Sequence, residues 1–208
     1  MNSYKTVKNR ASDEFVEKRS RFIGYVCPVT SADEVNAFIT EIQKKHFDAK
    51  HNVYAYILRE GGVKKYSDDG EPQGTAGMPV LEVIEKSGLC DVCVVVTRYF
   101  GGILLGGGGL FRAYTQAAKL AISAGGVAEM SLTSQMRAEC DYNFYSRLQS
   151  LIASSGGAVD NADFSDKVMV DFFVLSENEQ SITDAIFEAS NGKIKPEKLA
   201  EGYKMTNL

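Results

Sequence analysis

The chain has 208 residues, 44% hydrophobic and 24% charged, with a formal net charge of −4. That mix is ordinary for a globular protein, and the length accommodates two domains. The acidic balance excludes a uniformly basic nucleic-acid binder, and no apolar run is long enough to span a bilayer.

The opening residues turn polar at once and lack the apolar core of an export signal. The expected location is therefore the cytoplasm, with Cys27, Cys90, Cys93 and Cys140 as reduced thiols. Charge is unevenly spread. Residues 1–132 carry 16 Lys/Arg against 15 Asp/Glu, net +1, and residues 133–208 carry 7 against 12, net −5. A polyanionic partner should prefer the first part.

Residues 13–29 alternate and are rich in strand formers, which predicts a hairpin. Ser31 and Glu34 have the spacing of a capping box, and Val35, Phe38, Ile39 and Ile42 recur at helical spacing after it. Residues 52–58 read as a strand. Residues 66–77 hold three glycines and a proline and read as a loop. Pro79 suits a first helical turn, so a short helix is predicted to about Ser87. Residues 91–97 are nearly all apolar and β-branched, the pattern of a strand buried on both faces. A helix is predicted from about Leu110 to the stop at Gly125-Gly126. Beyond residue 132, strands at 135–143, 158–164, 167–175 and 192–203 alternate with helices at 145–154 and 181–189. The order β-α-β-β-α-β is that of a ferredoxin-like sandwich.

The run from Arg98 through Gly101, Gly102, Gly106, Gly108 and Gly109 to Arg112 joins a strand to a helix. Glycines admit close backbone approach, and a helix N-terminus offers free N–H groups, so this arrangement suits an anion. The same glycines would equally serve tight helix-on-sheet packing. The run has neither the dinucleotide-binding nor the P-loop spacing. Arg98 and Arg112 flank it, and Arg21 adds a cation in the basic and aromatic stretch from Lys18 to Phe22. The loop containing Ser67, Asp68, Asp69, Gly70, Glu71 and Thr75 is acidic. It reads as a Mg²⁺ site, as a hydrogen-bond clasp for the glycine loop, or as a solvated turn with capping aspartates. His46 ends a helix among lysines and reads as a cation facing the helix dipole, whereas His51 opens a strand near the loops. Two histidines are few for a metal site, and no catalytic residue stands out. The thiols of Cys90 and Cys93 should not face each other, because residues three apart in a strand point to opposite faces.

The strings Ser67-Asp68-Asp69-Gly70-Glu71-Pro72-x-Gly74-Thr75-Ala76-Gly77-x-Pro79 and Arg98-Tyr99-Phe100-Gly101-Gly102-Ile103-Leu104-Leu105-Gly106-x-Gly108-Gly109-Leu110-x-Arg112-Ala113-Tyr114, with Lys18 to Gly24 and His51, resemble the signature of the IMPACT/YigZ family in its bacterial two-domain form. The resemblance implies an α+β protein. Residues 1–132 would form a ribosomal protein S5 domain 2-like domain, and residues 133–208 a ferredoxin-like domain similar to one of elongation factor G. Eukaryotic members regulate translation during amino-acid stress. The motif loops and the basic start, with the fold resemblance, point to a non-enzymatic, translation-associated protein that binds RNA or the ribosome at the basic glycine cleft. Two alternatives stand beside it: an enzyme using the same loop, with Mg²⁺, on a phosphate-bearing or nucleotide substrate, and a protein-interaction module working through the acidic second half.

Overall fold

The computed structural model describes residues 3–206. The chain folds as two compact units, Tyr4–Glu129 and a second from Met130 onward. The first contains β1 (Ser3–Val7), β2 (Ala11–Glu17), β3 (Ser20–Pro28), α1 (Ala32–Lys45), β4 (His51–Leu58), β5 (Val63–Ser67), α2 (Gly77–Lys86), β6 (Val92–Tyr99) and α3 (Gly107–Gly125). Its sheet has the order β2-β3-β6-β4-β5 and all its pairings are antiparallel.

Alternation along β3 sorts its side chains between two cores. Phe22 and Val26 join Val92, Val94 and Val96 of β6 beneath α2 and α3. Ile23 and Tyr25 join Cys93 and Val95 beneath α1. The apolar run of β6 is thus buried on both faces, as its sequence predicts, and each such side chain contributes about 1.5–3 kcal/mol. Gly24 sets how close α3 lies, because a Cβ there would stand 2.4 Å from the Ala117 carbonyl oxygen. At the head of α1, Ser31 accepts from the Glu34 N–H at 3.3 Å. Glu34 reaches back to the Thr30 N–H at 2.6 Å, so the box closes on Thr30 and not on Ser31.

Several boundaries differ from those predicted. Tyr66 and Ser67 belong to strand β5, paired with Ala55 and Tyr54. Helix α2 starts at Gly77, two residues before Pro79, and α3 starts at Gly107 inside the glycine run, before Leu110. Strand β1 had no clear sequence signal. Backbone N–H groups of Lys8 and Asn9, just after it, donate to the carbonyls of Gly126 and Gly125.

Strand β7 (Val127–Cys140) begins in the first unit and continues as a single strand into the second. Then come α4 (Tyr142–Ser154), β8 (Ala158–Phe164), β9 (Val168–Leu175), α5 (Glu179–Ala189) and β10 (Glu197–Thr206). The second sheet has five strands in the order β1-β7-β9-β8, with β10 also paired to β7, so the second unit's own strands run β10-β7-β9-β8. Val168, Val170, Phe172 and Val174 of β9 point inward with strict alternation and meet Leu148, Ile152, Ile182 and Ile186 of α4 and α5. The last strand begins after Pro196, later than predicted, because proline cannot donate to a ladder. Among the described residues no helix is long and apolar enough to cross a membrane.

Candidate functional site

The acidic loop is a backbone clasp. Asp68 Oδ1 accepts from the N–H groups of Ala76 and Gly77 at 3.1 and 2.8 Å, and Oδ2 accepts from Gly74 at 2.9 Å. Ala76 precedes α2 and has no capping side chain. Asp68 therefore supplies the cap from eight residues away and places a carboxylate at the positive end of the helix. Asp69 Oδ2 accepts from the Asn52 N–H at 2.6 Å. The Asp69 carbonyl accepts from His51 Nδ1 at 2.8 Å, which assigns the proton of His51 to Nδ1. Asp69 and Gly70 adopt positive φ, at 43° and 82°. Ser67 Oγ accepts from the Asp69 N–H, and Thr75 Oγ1 donates to the Pro72 carbonyl. Asp68→Ala strands three N–H groups at once and is expected to cost about 2 kcal/mol. A melting curve beside that of Asp68→Asn, which keeps an acceptor, measures it.

Glu71, the third carboxylate, closes a buried triad. Its Oε1 accepts from Arg98 Nη1 at 2.5 Å and from the Tyr114 hydroxyl at 2.8 Å. Arg98 is 6% exposed, Glu71 9% and Tyr114 0%. The register sets both Phe22 and His51 opposite Arg98. The guanidinium carbon lies 5.5 Å from the ring centres of both Phe22 and Phe100. Burial, and then the Glu71 charge, push the Tyr114 hydroxyl pKa well up. The triad ties the acidic loop to β6 and α3. Arg98 thus faces inward onto Glu71, and Nε finds no hydrogen-bond partner.

The surface-facing groups gather one step away. Lys18 and Arg19 form the two-residue turn between β2 and β3, both at positive φ (45° and 63°). That conformation is unfavourable for long side chains and usually falls to Asn-Gly. Gly101 packs on this turn: a Cβ there would lie 1.9 Å from the Arg19 carbonyl carbon. The Gly101 N–H donates to Ser20 Oγ at 3.1 Å. Gly102 and Gly106 adopt φ of 83° and 72°. Gly106 provides no side-chain cap for α3, and a Cβ on Gly108 would meet nothing within 4 Å. Gly109 packs on Leu105. A cavity of about 190 Å³ is lined by Lys18, Arg112, Glu17, Gln116, Leu105 and Gly109. Arg112 is exposed and shares this cavity with Lys18, whereas Arg98 is not among the lining residues. Arg21 is exposed and paired with Glu14 at 2.6 Å. Phe100, Ile103 and Leu104 of the glycine loop are exposed, Leu104 by 82%.

Tyr99, grouped with the loops by its motif, points to the other face of the sheet. There Tyr25 donates to His46 Nε2 at 2.7 Å, and His46 Nδ1 donates to the Tyr99 oxygen at 2.9 Å. The Tyr99 hydroxyl donates to Asp48 at 2.8 Å, completing the chain. His46 is therefore buried in a hydrogen-bonded chain and not an exposed cation at the helix end, as its neighbours suggested. Burial is the main cause of its lowered pKa, with Lys45 adding to it. Sequence reasoning missed this chain because it links residues up to 74 positions apart, and only the fold brings Tyr25, His46 and Tyr99 together.

Among the described residues no three His, Cys, Asp or Glu side chains converge as metal ligands. All four cysteines are free thiols, with Cys93 buried in β6.

Residues 18–122 match the model of the Impact N-terminal domain, and residues 139–193 match a domain of unknown function (DUF1949). The IMPACT family member YvyE of Bacillus subtilis is 38% identical, over 93% of this chain and 89% of its own. YigZ of Escherichia coli, also an IMPACT family member, is 32% identical over 71% and 74%. Protein IMPACT of Rattus norvegicus is 35% identical over 43% of this chain and 30% of its own. A crystal structure described as a hypothetical protein superposes with a TM-score of 0.63 at 26% identity, covering 96% of this chain and 98% of the other. The domain match begins at Lys18 of the basic turn and takes in the acidic clasp, the triad and the glycine loop, and the chain belongs to the IMPACT family.

Proposed function

We propose that this protein is a non-enzymatic, translation-associated regulator that works in the cytoplasm. It binds RNA, free or within the ribosome, at the surface formed by the Lys18-Arg19 turn, the glycine loop and the start of α3. One observation carries the reading: Gly101 seats the basic turn directly against a loop that opens into a helix N-terminus without a side-chain cap. Phosphate groups meet N–H donors there together with Lys18 and Arg112. The exposed Phe100 ring offers a stacking surface beside them. Arg98 acts from within, holding β6, Glu71 and Phe100 in place.

Family membership supports a role in translation, since the resemblance to eukaryotic members implies one. The strand order β10-β7-β9-β8 supports a ferredoxin-like second unit, and the resemblance supports an S5 domain 2-like first unit. The Mg²⁺-dependent alternative is less favoured, because Asp68, Asp69 and Glu71 already hold protein N–H, guanidinium and hydroxyl groups.

The test is a titration of the full chain with ribosomes and short single-stranded RNAs across a salt series. Affinity should fall steeply with salt. Lys18→Ala and Arg112→Ala should each weaken it several-fold and lower the salt slope by about one. Binding that is flat with salt and equal in both variants overturns the RNA reading.

A further inference from the structure

The second unit is acidic on average, yet its cations are sorted. Three of its seven Lys/Arg lie in ion pairs away from any shared cavity: Arg137 with Asp171, Lys198 with Glu179 and Glu201, and Lys204 with Asp160. The other four, Arg147, Lys167, Lys193 and Lys195, line one cavity of about 560 Å³. It lies between the end of β7, the first turns of α4 and the loop from α5 to β10. Only Lys167 is paired there, with Glu139 at 2.5 Å. Among the described residues no carboxylate lies within 4 Å of Arg147, Lys193 or Lys195.

Three unpaired like charges around one concavity repel each other and focus a positive field into it. In a unit where carboxylates outnumber cations by 12 to 7, pairing them would have been easy. The cavity volume falls in the range that takes a small molecule. Its wall is not purely polar. Phe144 and Ile194 pack against the core and also line the cavity, and Arg147 stands 6.0 Å from the Phe144 ring centre. Asp141 lines it too. A bare polyanion meets that carboxylate unfavourably, whereas a ligand that also carries hydroxyl groups donates to it.

We propose that this cavity binds a nucleotide bearing two or more phosphates. The phosphates lie among Arg147, Lys193 and Lys195, the base lies against Phe144, and a ribose hydroxyl donates to Asp141. The site is confined to the second unit and does not depend on the RNA reading of the first.

Isothermal titration of the full chain with ADP, GDP and inorganic pyrophosphate tests it. Saturable binding of a nucleotide is expected. The Lys193→Ala/Lys195→Ala double variant should weaken it by at least about tenfold, and Lys204→Ala should leave it unchanged. Pyrophosphate should bind more weakly than the nucleotides, and Asp141→Asn should narrow that gap. A second measurement needs no variant: the nucleotide should protect Lys193 and Lys195 of the native chain from amine acetylation, read by mass spectrometry. No saturation at millimolar nucleotide overturns the proposal, as does equal affinity in the double variant or unprotected lysines. RNA that occupies the cavity more tightly than the nucleotides, with the same dependence on Lys193 and Lys195, also overturns it. The RNA reading of the first unit is judged separately, through Lys18 and Arg112.

Discussion

Glu71→Ala is expected to destabilise the first unit by about 3–5 kcal/mol, enough to unfold it near physiological temperature. The cause is the charge left behind. Arg98 is buried between Phe22 and Phe100, and Glu71 is the carboxylate that meets it. Without Glu71 the guanidinium keeps its desolvation cost and loses its counterion, and the Tyr114 hydroxyl loses its acceptor. Removing both charges should therefore be milder than removing one. Glu71→Ala/Arg98→Met is expected to recover more than half of the loss, a non-additivity that a double-mutant cycle measures directly. Tyr114→Phe removes one hydrogen bond to a charged group and should cost about 1.5–3 kcal/mol. The chain has no tryptophan, so unfolding is best followed by far-UV circular dichroism. Hydrogen exchange of β6 amides then assigns the change to the first unit. A double variant as unstable as the sum of its parts would mean that the pair is not coupled.

The glycine loop offers the second large effect, and a contrast within it. In Gly101→Ala the new Cβ would fall 1.9 Å from the Arg19 carbonyl carbon, 2.0 Å from its oxygen and 2.4 Å from the Ser20 nitrogen. These are backbone atoms of a tight hairpin turn, so relief requires the turn itself to move. A loss of about 3 kcal/mol is expected, with displacement of the Lys18-Arg19 turn and loss of RNA binding. Gly108→Ala is the opposite case. Its Cβ meets nothing within 4 Å and its backbone is already helical. Alanine is the better helix former by about 0.8–1.0 kcal/mol, so stability should hold or rise. If RNA approaches this backbone, affinity in Gly108→Ala should still fall by about tenfold or more. A Gly108→Ala protein that is stable and binds RNA normally would show that this glycine does not serve RNA contact. Thermal melts and RNA titrations on the two variants separate the outcomes.

The sequence by itself determined the α+β class, the doubly buried strand β6, the amphipathic α1 and the β-α-β-β-α-β order of the second unit. These follow from patterns within a dozen residues. Val92 to Val96 must be covered on both faces, and Val35, Phe38, Ile39 and Ile42 can share only one helical face. The long motifs also identified the family. What lay outside local pattern was decided by the tertiary structure. Strand β5 is short and polar, and its pairing with β4 aligns it. Helix α3 begins among glycines, the poorest helix formers after proline, where propensity would not have started it. Arg98, a surface anion ligand by motif alone, is turned inward because the β3–β6–β4 register sets it beneath α3, within reach of Glu71. The net charge of the second half likewise hid its basic cavity, since composition averages over residues that only folding sorts into pairs and pockets.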